Sequence, residues 1–182
     1  MLFRSYIITA AQHLVSRLAP PHEPAVLSIT SIHGGSAPNI IPSTVTMSGT
    51  MRTMSESLRA SIQERLAETV TCTAKALGVE AELEIRKGYP VLVNDTTMTE
   101  TVERYFREFL GEENVLQSEP LMTAEDFAYY LQEIPGTFWQ IGTGTGNDRK
   151  GDSLHSATFN PDESVLETGS ALLAYSALRY FL

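Results

Sequence analysis

The run Ile32–Thr53, IHGGSAPNIIPSTVTMSGTMRT, constrains the fold more than any other stretch of the chain. Gly34 and Gly35 end an apolar run, an Asn-x-x-Pro turn follows at Asn39 and Pro42, and alternation then sets in. From Thr44, one face carries Thr44, Thr46, Ser48, Thr50 and Arg52, and the other carries Val45, Met47, Gly49 and Met51. Side chains of a strand point to opposite faces in turn, so this period of two predicts a half-buried strand over 44–52. Arg52 then stands on the open face of the sheet, with Asn39 in the loop leading in. An arginine fork matches a carboxylate bidentately, and a nearby amide could add a donor. Taken alone, the same residues also read as a solvated edge arginine and an ordinary turn asparagine.

The neighbouring segments extend this pattern. Ser5–Leu18 puts Ile7, Ala11, Leu14 and Leu18 on one helical face, closed by Pro20 and Pro21. Ala25–His33 is rich in β-branched residues and predicts a strand. Thr53-Met54-Ser55-Glu56 has the form of a capping box opening a long helix. Its apolar stripe is Leu58, Ile62, Leu66, Val70 and Leu77, and Gly78 is the expected stop. Val79–Arg86 alternates again, with Val79, Ala81, Leu83 and Ile85 inward and Glu80, Glu82, Glu84 and Arg86 outward. The order helix, strand, strand, helix, strand is that of a ferredoxin-like βαββαβ sandwich lacking its first strand. Such a domain is expected to be cut or to rely on a strand from elsewhere, and its open sheet edge invites pairing with another chain.

Gly88-Tyr89-Pro90 marks a boundary, giving an incomplete lid-type domain over 1–89 and a second part over 90–182. The second part predicts a helix through Val102, Phe106 and Phe109 stopped by Gly111, then a short strand near Val115. A helix from Thr123 to before Pro135, a strand over Thr137–Gly142 and a last helix opened by Asn160-Pro161 follow. That last helix has the stripe Val165, Leu166, Leu172, Leu173, Ala177 and Tyr180. Strands alternating with helices define an α/β class, here an α+β first part and a portion of an α/β sheet.

Composition excludes several roles. The net charge is −9 with no block of Lys and Arg, which argues against nucleic acid as a partner. Cys72 is the only cysteine, so no internal disulfide forms and a reducing compartment fits. The apolar stretch Ala171–Leu182 is too short for a bilayer and contains Arg179, so no membrane role is expected. The first residues read as an amphipathic helix rather than a leader, and the expected location is the cytoplasm.

Single motifs are weak by themselves. Gly142-Thr143-Gly144-Thr145-Gly146 resembles a nucleotide loop but is followed by a charged loop instead of a helix. Gly151-Asp152-Ser153-Leu154 spells the GDSL of a serine esterase family, with an overlapping DxxH ending at His155. A nucleophile and its base-orienting pair need separate segments folded together, so the overlap points to coincidence. A serine esterase using Ser153 is kept as a third reading. His155 lies in a loop before the last helix; it reads as a surface histidine or as one metal ligand of the three or four a site needs. Glu125 and Asp126 open a helix, where the dipole favours carboxylates. His33 is notable only for adjoining the glycine pair, and His13 and His22 share no spacing with it.

Together the segments are distinctive. GGxAPNIIP ending in GTxR, then GYPVLVND, then AEDFAYY, then LHSATFNPDE resembles the N-acyl-L-amino acid amidohydrolases. This is the aminoacylase, hippurate hydrolase and auxin-conjugate hydrolase group of co-catalytic metallopeptidases, and the match covers its C-terminal half. The resemblance implies a ferredoxin-like lid that dimerises, followed by the returning part of an α/β catalytic domain. It implies that Asn39 and Arg52 hold the substrate's free carboxylate, sometimes across the dimer, that His155 is a metal ligand, and that Glu125 lies near the pocket with no step assigned. It further implies two divalent ions, zinc or manganese, which activate a water and polarise the amide carbonyl. The family's remaining metal ligands and its lid histidine have no match in this sequence. This chain alone is therefore expected to hold no metal tightly and to be inactive, with a missing N-terminal half as its partner. Its substrate class is the N-acyl amino acids. A dimerisation or carboxylate-binding module without chemistry is the alternative.

Overall fold

The computed structural model describes residues 2–144 and 154–182. Two compact units divide it, one formed by Met1–Val91 with Pro120–Asp126 and the other by Leu92–Glu119 with Phe127–Leu182.

In the first unit, α1 (Leu2–His13) runs into a wider π-helical turn at Leu14–Leu18. Ile7 and Ala11, one turn apart, are its buried residues. Strands β1 (Ala25–His33) and β2 (Thr46–Thr53) pair antiparallel, and α2 (Glu56–Ala76) packs with α1 against them. Gln12 fixes α1 to the sheet by donating from Nε2 to the Leu27 carbonyl at 3.3 Å. Leu58, Ile62, Val70 and Ala74 are the buried face of α2, and Ile62 is wholly enclosed. Leu66 is half-buried and Leu77 exposed, so the expected stripe holds over its first three turns and then rotates to Ala74. The helix starts from Ser55, whose Oγ accepts the Leu58 N–H at 3.3 Å, rather than from Thr53. Thr53 is buried and donates to the Ser55 carbonyl, steadying the strand-to-helix corner. At the far end the N–H groups of Leu77, Gly78 and Val79 return to the Ala74 and Lys75 carbonyls.

The hairpin contains an irregularity that alternation alone does not reveal. Its register pairs Ile29 with Gly49 but Ser31 with Ser48, so Thr30 is an extra residue, a β-bulge. Before the bulge Leu27 and Ile29 share the covered side with Met51; after it Ile32 pairs with Met47 on that same side. The open side consequently carries Val26, Ser28, Ser31 and His33 opposite Arg52, Thr50, Ser48 and Thr46. Gly49 is required here: a Cβ would lie 3.1 Å from Ile29 Cδ1 and collide with the Ser28 carbonyl oxygen.

Val79–Arg86 keeps the alternation but joins no ladder; the described sheet has two strands. Leu83 and Ile85 are 38% and 41% exposed, so the described residues cover the face predicted to be inward only in part. An alternating segment becomes a strand only where a neighbour supplies main-chain partners.

The second unit contains α3 (Thr96–Leu110), a short 3₁₀ turn (Glu112–Asn114), α4 (Phe127–Glu133) and α5 (Val165–Phe181). Asp95 caps α3, its Oδ1 accepting the Met98 N–H at 2.8 Å, and Gly111 follows its end. Tyr105 and Phe106 are its buried residues. Tyr105 donates its hydroxyl hydrogen to the Arg179 carbonyl of α5, while Arg179 itself pairs with Glu108 at 2.8 Å. The strands expected near Val115 and over Thr137–Gly142 form no ladder among the described residues. The helix expected from Thr123 begins at Phe127, and the last begins at Val165, four residues beyond Pro161. Of the stripe expected on α5, Leu172 is buried and Val165 half-buried, whereas Leu166 and Leu173 are 68% and 62% exposed.

Candidate functional site

Arg52 stands on the open side of β2, opposite Val26, as its alternation requires. Its Nη1 donates to the Thr50 hydroxyl at 3.2 Å, one step along the same face. Arg59, Arg65, Arg86, Arg107 and Arg179 each pair with a glutamate; among the described residues no carboxylate pairs with Arg52, nor with Arg4, Arg17 or Arg104, and of these four only Arg52 stands on the sheet. A solvent-facing guanidinium held by a neutral hydroxyl keeps most of its donors for an incoming anion.

Asn39 is exposed in the loop between the strands, in a turn closed by the Ile40 N–H on the Ala37 carbonyl at 3.4 Å. The loop leaves β1 through Gly35, whose φ of +89° lies in the left-handed region where a side chain is strained. Ile40 and Ile41 follow Asn39 and are 62% and 82% exposed. The loop enters β2 at Thr46, six residues before Arg52, which is about 20 Å along an extended strand. Asn39 and Arg52 therefore belong to opposite ends of one hairpin.

His33 is the residue that simple alternation misassigns. The bulge at Thr30 puts it on the open side across from Thr46, with Ser31 and Ser48 next along. The hydroxyls of Ser31 and Ser48 bond to each other at 2.5 Å. Adjacent polar residues at Thr30-Ser31, which break the period of two, were the available signal.

Glu125 belongs to the first unit, half-buried just ahead of α4. His155 belongs to the second, exposed in a turn ahead of α5. Asp152 and Ser153, and the end of the glycine loop from Thr145, lie outside the described residues. After His155 the chain is ordered by Ser156, whose Oγ accepts the Thr158 N–H at 3.1 Å, and by Asp162, whose Oδ1 accepts the Ser164 N–H at 3.0 Å. The hydroxyl and N–H of Ser164 hold the Asp162 carboxyl below its ordinary range.

A two-ion centre needs a set of histidine, cysteine or carboxylate ligands brought together around each metal. Among the described residues no three such side chains converge. The donor set present does not fit a complete centre, with His155 as the one candidate ligand from the motif reading. No helix among the described residues is long and apolar enough to cross a membrane.

Comparison with known proteins agrees with the motif reading. The family model described as peptidase family M20/M25/M40 matches residues 9–179. The chain belongs to this peptidase family. It is 37% identical over 177 residues to "Probable hydrolase sll0100" of Synechocystis sp., covering 96% of this chain and 45% of that protein. It is 34% identical over 189 residues to the IAA-amino acid hydrolase ILR1-like 4 of Arabidopsis thaliana, covering 100% of this chain and 42% of that protein. A solved structure from methicillin-resistant Staphylococcus aureus superposes with a TM-score of 0.84 at 31% identity, over 98% of this chain and 46% of the other. The Bacillus subtilis YXEP protein, a dinuclear metal-binding peptidase, superposes with a TM-score of 0.80 at 26% identity, over 99% of this chain and 45% of the other. The chain thus spans under half the length of these relatives.

Proposed function

We propose that this chain is the substrate-gripping, C-terminal portion of a metal-dependent amidohydrolase that cleaves the amide bond of N-acyl amino acids. Residues 1–89 serve as a ferredoxin-like lid that lacks its first strand and dimerises, and 90–182 as the returning part of the catalytic domain. Arg52 and Asn39 bind the free carboxylate of the substrate. Their separation in one hairpin favours a grip in which Arg52 of one copy and Asn39 of a second copy act together. His155 contributes one metal ligand, Glu125 lines the pocket, and the other ligands belong to the portion of an M20 chain that this sequence does not contain. Alone, the chain is inactive.

The observation carrying this reading is the guanidinium of Arg52 on an open sheet face, held by the Thr50 hydroxyl and paired with no carboxylate among the described residues, within a chain whose family match spans residues 9–179. Relatives named for IAA-amino acids and for N-acetyl-L-cysteine support an amino acid substrate carrying an acylated amine and a free acid. Co-expression with the complementary portion of a relative, followed by assay on N-acetyl amino acids and on the matching amides that lack the free acid, tests it. Hydrolysis confined to the free-acid series is the expected result. Equal turnover of both series removes the carboxylate grip.

A further inference from the structure

The open side of the hairpin is polar along the ladder except at one position. Ser28, Ser31 and His33 of β1 face Thr50, Ser48 and Thr46 of β2, while Val26 faces Arg52. The one apolar side chain of that row therefore stands directly across from its one guanidinium. Strand propensity does not require a valine there, because threonine, which fills the same side of β2 at Thr46 and Thr50, is equally β-branched.

Arg52 reaches along the sheet rather than away from it. Its Nη1 donates to the Thr50 hydroxyl at 3.2 Å, so the fork is drawn back along β2 toward the pair of Thr50 with Ser28. Residues directly opposite in such a ladder have Cβ atoms about 5 Å apart, and diagonal ones about 7–8 Å. Val26 and Ser28 are accordingly the cross-strand neighbours of the fork. In an α-amino acid the side chain leaves the carbon next to the carboxyl group. A carboxylate seated on the fork thus starts its side chain beside these two residues, where Val26 offers methyl groups and Ser28 a hydroxyl. Burial against the methyls favours an aliphatic side chain, whereas an amide of the same shape loses hydration there without a partner.

We infer that Val26 is a specificity-determining contact: an N-acyl amino acid gripped by Arg52 lays an aliphatic side chain on the Val26 methyls, so leucine-like substrates are preferred over asparagine-like ones. This role rests on the reading that Arg52 binds the free acid, and it adds which amino acids that grip retains. Padding of the Arg52 stem is the competing role for Val26, and it gives no preference among substrate side chains.

The test titrates the chain, isotope-labelled at its valine methyls and arginine Nε, with N-acetyl-L-leucine, N-acetyl-L-asparagine and N-acetyl-L-leucinamide, followed by NMR. Expected are saturable shifts of Arg52 Nε with both acids, a nuclear Overhauser contact between the leucine methyls and Val26, and about tenfold tighter binding of the leucine acid. Val26→Thr lowers the leucine affinity until the two acids bind within about twofold of each other, with Arg52 still responding to both. Should Val26→Thr fail to fold by circular dichroism, the contact and the affinity ratio in the unsubstituted chain decide. Equal binding of the two acids overturns the inference, as does equal weakening of both in Val26→Thr, which marks padding of the stem. Silence of Val26 and Arg52 toward every compound overturns it, and so does a Val26 contact that the leucinamide makes equally well. Arg52 shifts without a Val26 contact keep the carboxylate grip and remove the side-chain contact. Leucine-selective contact at Val26 without hydrolysis by the co-expressed complex keeps the contact and removes the hydrolase reading.

Discussion

Asn94 holds Phe138 by both halves of its amide, Nδ2 donating to the carbonyl at 2.9 Å and Oδ1 accepting the N–H at 2.8 Å. One side chain thereby performs the pairing of a strand residue across 44 positions of sequence. Each partly buried hydrogen bond of this kind contributes about 0.5–1.5 kcal/mol. Asn94→Ala should therefore destabilise the chain by about 1–3 kcal/mol in urea unfolding. Asn94→Asp, which keeps the acceptor but loses the donor, should recover only part of that.

Gly49 faces a different constraint. Gly49→Ala forces a methyl against Ile29 and the Ser28 carbonyl, in the part of the ladder next to the bulge. Overpacking of this sort costs about 1–3 kcal/mol, measurable as a lowered unfolding midpoint with the m-value unchanged. Gly88→Ala, where no atom lies within 4 Å of the added carbon, is the control and should shift little.

In the complemented enzyme, Arg52→Ala should raise KM for substrates with a free carboxylate by about 10- to 150-fold, the worth of a charged hydrogen-bonded contact. Turnover at saturation should change much less. Arg52→Lys should restore only part of the affinity, because an ammonium lacks the planar fork. Steady-state kinetics on the co-purified complex checks both.

Metal analysis gives an independent result. This chain alone, after dialysis against zinc or manganese, should retain far less than one ion per chain. The complemented enzyme should retain both, and His155→Ala should lower that content. Stoichiometric tight binding by the isolated chain would show a centre built from its own residues.

Asp162 provides a pH dependence whose sign follows from its bonds. Ser164 donates to the ionised carboxyl and lowers its pKa from the ordinary 3.8. A lowered folded-state pKa stabilises the fold above the unfolded value, and that stability is lost as pH falls through the lower folded one. Thermal unfolding midpoints should accordingly drop more steeply below pH 3.8 for the parent than for Asp162→Asn. Above that pH the difference between the two should be constant.

Local signals were legible in the sequence wherever a segment's partners lie close by along the chain. Ala25–His33 was bounded correctly because its partner β2 is the next strand, and Gly111 marked the end of α3 because capping is a property of the helix itself. Val79–Arg86 and Thr137–Gly142 carry equally good strand patterns, yet neither joins a ladder among the described residues, because alternation specifies a face and not a neighbour. The last helix shows the same limit: Leu166 and Leu173 belong to its apolar stripe, but the described residues leave them exposed. Arg52 was legible as an open-face cation from parity alone. His33 was not, since one surplus residue upstream reverses the parity.

That surplus residue makes the two strands tolerant at one point of the ladder. Thr30 is the remainder left when β1 is counted against β2, so a chain without it keeps every other pairing, with Ile32 still opposite Met47 and His33 still opposite Thr46. Removal of Ser31 has the same outcome, since Thr30 then takes its place opposite Ser48, whereas removal of Ser28 turns Ile29 to the open side. A codon-by-codon deletion scan across β1 should find its survivors at Thr30 and Ser31.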